Sequence, residues 1–249
     1  MPSTRRIGES SRARTRWVRR AMALAAAVSL AGCATGGGLP VGGALATQAA
    51  GGPGSANLAG CPTSQPPALA AGQTRTVTIS TSKGTIVIKV DAAKAPIATG
   101  NFVALASCGF YDGVVFQRLV PEFIIQGGDG QFGRVGADGK LSASDASQVG
   151  SGNLGYTIAD DPPPTDYVRG TVAMARTPAA HSEDSQFFIV LADGAGPSLA
   201  QSNQYGYAIV GSVTSGMDVA DAIAAMPNTG DPNNAAIDPV PMTAVTVGP

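Results

Sequence analysis

The chain is poor in the side chains on which most enzyme chemistry runs: 249 residues include one histidine and three cysteines, and 13% of the residues are charged. A metal site built from several histidines is excluded, and a Ser/His/Asp triad would have to be assembled around His181. That residue sits between Ala180 and Ser182 in a polar stretch and reads as a solvated loop histidine. Excess positive charge is missing as well. The net charge is -1 and the pI is near 5.7, which excludes nucleic acid as the main partner, since no polybasic stripe remains to hold a phosphate backbone. A run long enough to span a bilayer as a helix is also absent: the longest apolar segment, Ala21 to Leu30, is half the roughly 20 residues required.

What is present near the start has a different meaning. Seven arginines, Arg5, Arg6, Arg12, Arg14, Arg16, Arg19 and Arg20, precede that apolar run, the order of a targeting segment. It ends in Leu30, Ala31, Gly32 and Cys33, a pattern that resembles the lipobox of bacterial lipoproteins. On this reading residues 1–32 are a lipoprotein signal peptide and Cys33 becomes the lipid-modified amino terminus. The protein is then expected to be exported and anchored to the outer face of the cytoplasmic membrane, or to an outer membrane if the organism has one. Cys61 and Cys108 remain as an even pair in a chain that leaves the cytoplasm, so they are expected to form a disulfide; two free buried thiols are the alternative.

Residues 33–73 are rich in Ala, Gly and Pro with almost no charge, the composition of a flexible tether and irregular lead-in. The folded domain is expected over 74–249. Thr76 to Ser80 and Thr85 to Val90 alternate with period two around a Ser82-Lys83-Gly84 turn, which predicts a β-hairpin. Pro96 suits the first turn of a helix running to Ser107, with Gly109 as its stop. Short β-type runs follow at 114–118, 123–126, 171–175, 187–191 and 207–213, then a helix at 217–226 with Val219, Ile223 and Met226 on one face, then a strand at 242–247. The expected fold is mainly β: a closed antiparallel β-barrel of about eight strands capped by two α-helices, because closure removes unpaired strand edges.

Gly128 to Gly133 fits the G-x-G-x-x-G pattern after an apolar strand, but Arg134 to Ser144 lacks helical periodicity and carries Gly136, Asp138 and Gly139, so a dinucleotide site is rejected. More informative is the run from Phe116 to Asp129, where Arg118, Phe123 and Gln126 stand at spacings of five and three. Period two puts Phe116 and Arg118 on one side of a strand; a strand beginning at Phe123 would put Phe123 and Ile125 on one face and Ile124 and Gln126 on the other. Read blandly, these are ordinary barrel residues with Arg118 in solvent.

That run resembles the signature of the cyclophilins. Ser185-Gln186-Phe187-Phe188-Ile189 resembles their second signature, and Gly170 to Arg176, Lys94-Ala95-Pro96, Asn101-Phe102, Tyr111-Asp112-Gly113 and Tyr207 to Gly211 fall in the family's order over roughly 74–248. The resemblance implies a cyclophilin-like barrel and peptidyl-prolyl cis/trans isomerase activity with no cofactor and no metal. It makes Arg118 the catalytic residue, and Phe123, Gln126, Gln186 and Phe188 the groove and proline pocket. Ala175 and Arg176 become the edge that pairs with the substrate backbone, and Leu199 and Tyr207 the remaining wall. Arg176 stands where many members have asparagine, which implies an altered contact there, and Gln117 and Tyr207 replace histidines. The segment 194–205 is longer than usual.

The family's cyclosporin-binding tryptophan has no counterpart, because the sole tryptophan is Trp17, so weak cyclosporin binding is expected. The implied partners are proline-containing exported polypeptides and, through Cys33, the membrane; a monomer is the expected state. A non-catalytic proline-peptide-binding chaperone module on the same fold is the alternative function.

Overall fold

A computed structural model describes residues 59–161 and 166–249. The signal segment, Cys33 and the tether up to residue 58 lie outside the described residues. The expected hairpin forms as β1 (Thr74–Thr81) and β2 (Gly84–Asp91), paired in register from Thr74 opposite Asp91 to Thr81 opposite Gly84. Val77, Ile79, Ile86, Ile88 and Val90 point inward and are buried, as period-two alternation requires when one face meets a core. The remaining strands are β3 (Val115–Val120), β4 (Ile124–Gly127), β5 (Thr171–Met174), β6 (Phe187–Val190), β7 (Ile209–Ser215) and β8 (Ala235–Gly248). They close in the order β1-β2-β7-β5-β6-β4-β3-β8, every pair antiparallel. The expected eight-stranded barrel is therefore the fold.

Closure depends on β8, which begins seven residues earlier than the expected strand at 242. Its first half, Ala235 to Pro241, pairs with β3, and its second, Met242 to Gly248, with β1. Pro239 and Pro241 hide this strand in the sequence, because a proline cannot donate to a ladder.

Two expected helices appear as α1 (Pro96–Ser107) and α3 (Met217–Ala224). A third, α2 (Gly196–Ser202), lies between them in the 194–205 segment. It was not expected because seven residues with only Leu199 buried carry no periodic signal. On α3 the buried residues are Ala220, Ile223 and Ala224, flanked by half-buried Val219 and Met226, and Val219 packs over the Gly84 end of β2. α1 follows the other end of β2 and sends Ala98, Phe102, Leu105 and Ala106 into the same core, so the two helices cover opposite barrel ends. Phe102, Tyr111, Phe116 and Phe187 meet there edge to face or tilted, with centroids 5.3 to 6.1 Å apart, each contact adding about 0.5–1.5 kcal/mol beyond area burial.

The folded part also extends upstream of Thr74. The lead-in lies directly on α1: Leu69 donates its N–H to the Pro96 carbonyl at 3.0 Å, and a Cβ at Gly100 would fall 2.4 Å from the Pro67 carbonyl oxygen. Cys61 is joined by a disulfide to Cys108, at the C-terminal end of α1. The helix therefore has the barrel on one side and the lead-in on another; Thr99 and Asn101 are both buried, the latter donating to the Asp184 carbonyl and accepting from the Tyr156 hydroxyl. No side chain of its own caps its first turn. Asp161 does so from across the fold, accepting the N–H groups of Ile97 at 3.3 Å and Ala98 at 2.8 Å and satisfying donors that would otherwise be orphaned.

Candidate active site

The site is made by one irregularity in β3. Phe116 pairs with Gly127 and Arg118 with Gln126, so Gln117 is an extra residue on that strand; the ladder to β8 shifts at the same place. A bulge of this kind breaks the alternation once and re-aims the next side chain. Phe116 and Leu119 both enter the barrel core, while Gln117 and Arg118 both line a recess on the outer face. The expectation that Phe116 and Arg118 share a face is thus corrected, and the bulge is the reason.

From Arg118 the groove can be followed strand by strand. Arg118 is opposite Gln126, Gln126 opposite Phe188, Phe188 opposite Ala173, and Ala173 opposite Ile209. Directly opposed residues stand on one face, so a cation, an amide, an aromatic ring and two aliphatic groups form a transverse row outside the barrel. Phe188 belongs to a second apolar cluster with Ile124, Tyr167, Ala173, Val190, Ala195, Leu199 and Ile209, against which Phe123, Ala175 and Tyr207 pack half-buried. Phe123 and Ile124 therefore lie together and Ile125 lies in the core. The expected alternation from Phe123 fails because the chain turns there: Glu122 has φ 59° and the Phe123 N–H returns to the Val120 carbonyl at 3.0 Å. The Tyr207 ring meets Phe188 edge to face at 5.2 Å, and its hydroxyl is 3.0 Å from that of Ser202.

Three glutamines make the polar half of the floor. Gln186 accepts through Oε1 from Gln117 Nε2 at 2.8 Å and Gln126 Nε2 at 3.1 Å, and donates through Nε2 to the Gly150 carbonyl at 3.0 Å. The Asp129 carboxylate holds the adjoining loop by accepting the N–H groups of Gln131, Phe132, Gly150 and Gly152. This is the role of the G-x-G-x-x-G segment, whose glycines serve close packing: a Cβ at Gly128, where φ is +103°, would lie 2.5 Å from the Ser185 carbonyl oxygen. The amide of Gln126 thus faces Gln186; among the described residues no hydrogen bond or ion pair engages the Arg118 guanidinium.

Gln126 stands between two recesses. One, of about 370 Å³, is lined by Gln117, Arg118, Ser147, Gly150, Pro232 and Asn233 among others. The other, of about 330 Å³, is lined by Gly152, Asn153, Ala175, Arg176, Ser182 and Gln186 among others. They meet at Gln126, and the first of them opens against Arg118. Sequence reading missed the 146–152 segment and the 232–235 turn, since small and polar loop residues carry no periodicity.

Arg176 lines the recess beside Ala175, at the expected edge. Its side chain is 1% exposed and turned inward, with Nη1 2.8 Å from Asp160 Oδ1 and 3.9 Å from Glu183 Oε1. The half-buried Asp160 and the buried Glu183 draw the guanidinium away from the groove, which is the form the altered contact takes. His181 remains exposed on its loop, with Nδ1 accepting the Asp160 N–H at 3.1 Å. Burial, opposed by the Ala208 N–H bond and by Arg176, pushes the Glu183 carboxyl from 4.5 up to about 7. Between those values the unfolded chain binds fewer protons than the folded one, so this group makes stability fall as pH rises through that window. Glu183→Gln should therefore gain stability relative to the parent between pH 5 and pH 8, by on the order of 3 kcal/mol. Urea unfolding of both proteins at the two pH values checks this; a constant difference would refute it. Among the described residues no group of three or more His, Cys, Asp or Glu side chains is placed to hold a metal.

Comparison with known proteins agrees with the geometry. Residues 76–247 match the family model described as cyclophilin type peptidyl-prolyl cis-trans isomerase/CLD. The peptidyl-prolyl cis-trans isomerase A of Dickeya dadantii is 38% identical over 157 residues, covering 63% of this chain and 75% of that one. Peptidyl-prolyl cis-trans isomerase B of Escherichia coli is 37% identical over 152 residues, 59% of this chain and 82% of its own. A solved Cryptosporidium parvum cyclophilin type peptidyl-prolyl cis-trans isomerase superposes with a TM-score of 0.55 at 25% identity, over 71% of this chain and 99% of that one. A second structure of it was determined in the presence of the dipeptide Ala-Pro. With a closed eight-stranded barrel, a cation in one row with an apolar cluster and a family match across nearly all of the described residues, the chain belongs to the cyclophilin-type peptidyl-prolyl cis-trans isomerases.

Proposed function

We propose that this protein accelerates rotation about Xaa-Pro peptide bonds in exported polypeptides, with Arg118 as its catalytic residue. The observation that carries the reading is the row Arg118, Gln126, Phe188, in which a guanidinium with no hydrogen-bond or ion-pair partner among the described residues stands beside an apolar cluster. The reaction makes and breaks no covalent bond. Its barrier of about 18–20 kcal/mol comes from amide resonance, and a groove that binds the twisted amide more tightly than the planar one lowers it. Phe123, Phe188, Leu199 and Tyr207 seat the proline ring. Arg118 donates to the prolyl carbonyl and approaches the nitrogen as its lone pair leaves conjugation. The edge at Ala175 and Arg176, which lines the neighbouring recess, receives the flanking residues in extended form.

Altered neighbours at Arg176 and Gln117 are the reason to keep a binding-only chaperone in view. The Arg176 side chain is taken up in ion pairs and the Gln117 amide by Gln186, so neither competes with Arg118 for the substrate, and the isomerase reading is favoured. The direct test is acceleration of cis/trans exchange in a Xaa-Pro peptide, with cyclosporin added to the same assay and expected to inhibit weakly. A folded protein with no acceleration across several residues before proline would return the binding module.

Placement at a membrane rests on the sequence Leu30-Ala31-Gly32-Cys33 behind its arginine-rich start. Mature protein lipidated on Cys33 should sediment with membranes, and Cys33→Ser should not. Equal sedimentation of the two would remove the anchor from the reading.

A further inference from the structure

The buried guanidinium of Arg176 has more partners than a surface loop residue needs. Besides Asp160 and Glu183, it donates through Nη2 to the Ala179 carbonyl at 2.7 Å and lies 4.9 Å from the centre of the Tyr205 ring. These partners belong to three separate stretches, 158–161, 175–183 and 203–208. Each stretch is continuous with the groove: Thr157 and Ala175 line the 330 Å³ recess, and Tyr207 packs against Phe188. The same stretches are cross-tied by backbone. Ala175 donates to the Gln186 carbonyl at 2.7 Å, Met174 to that of Ala208 at 2.9 Å, and Ile158 to that of Glu183 at 3.0 Å. Ala208 in turn donates to Glu183 Oε1 at 3.0 Å, and Asn203 Nδ2 to the Thr177 carbonyl at 3.0 Å.

We propose that Arg176 is a positioning residue for the isomerase site: its side chain holds these three stretches at the spacing the groove needs and touches no substrate. The inference rests on the isomerase reading of the groove and adds to it a residue that acts from behind. A planar fork that pairs with a carboxylate, a carbonyl and an aromatic face at once can do this, whereas a point charge cannot. Removing it leaves the buried Glu183 and the half-buried Asp160 without the cation they share, which loosens the three stretches.

The test compares the parent with Arg176→Gln, Arg176→Lys and Asp160→Asn in peptide turnover and in amide hydrogen exchange. Arg176→Gln should raise KM about tenfold, the effect of losing one charge-assisted contact's worth of order, with a smaller change in kcat. Arg176→Lys should recover part of that loss. Exchange should quicken at Ala175 and Ala208 while the β1–β2 amides keep their protection. An unchanged KM, or a loss confined to kcat, overturns the proposal, as does unchanged exchange at Ala175 and Ala208. If Arg176→Gln does not fold, Asp160→Asn, which removes the closest charge partner and keeps the shape, is held to the same criteria. Should the parent show no turnover, the isomerase reading fails on its own; exchange and the parent's affinity for the same peptide then decide the positioning role.

Discussion

Arg118→Ala should lower kcat by about 10²- to 10³-fold, the range found when a donor aimed at a transition state is removed, and should leave the fold intact. The first half follows from what the side chain faces. Its neighbours are Gln126 across the ladder and an open recess, so its donors are available to a twisting amide. One charge-assisted hydrogen bond contributes about 1.5–3 kcal/mol, and the water-poor wall of Phe188 and Phe123 strengthens the field around it. The second half follows from what the side chain lacks. No buried partner among the described residues depends on it, so truncation strands no charge. Arg118→Lys should recover a minor part of the activity, since it keeps the charge and loses the fork. Turnover of a Xaa-Pro peptide, with circular dichroism as a control for folding, checks the pair. An alanine variant of near-parental activity would move catalysis away from Arg118.

Cys108→Ser should lower stability by about 4 kcal/mol, from the loop entropy of a closure spanning 47 residues. For a domain of this size that is roughly 10 °C in Tm. The bridge closes over the whole β1–β2 hairpin and α1, so the unfolded chain it restricts is a quarter of the barrel. The lead-in loses most: without the link, Leu69 and Pro67 hold it on α1 by backbone contacts alone. Thermal unfolding with and without reductant should reproduce the difference in the parent and show none in the variant. Equal melting of parent and variant without reductant would mean the bridge adds nothing.

Much of this was legible in the sequence for a simple reason: burial on one face writes period two into a strand, as in Val77, Ile79, Ile86 and Ile88. Where period two breaks, the reading broke too. The bulge at Gln117 is invisible because Gln117 and Arg118 are both polar, and alternation alone cannot say which of them is extra. Pro239 and Pro241 argued against a strand that exists because it changes partners midway along β8. Arg176 was placed at the groove edge through likeness to a family, and where its guanidinium turns could not be read, because the two carboxylates that take it up come from residues 160 and 183. The groove residues were found through likeness to a family, and their row across the strands only through register.

The bridge between Cys61 and Cys108 also has a mechanical meaning. Because it is covalent, a pull applied to the chain anywhere before Cys61 passes straight to the end of α1. The intervening hairpin, β1 included, is a slack loop outside the load path. A strand at the start of a barrel would otherwise be peeled one hydrogen bond at a time by tension on its leading end. Here that tension meets a helix wedged into the core by Phe102 and Leu105, and the first strand pair of the barrel is relieved of whatever tugs at the front of the molecule.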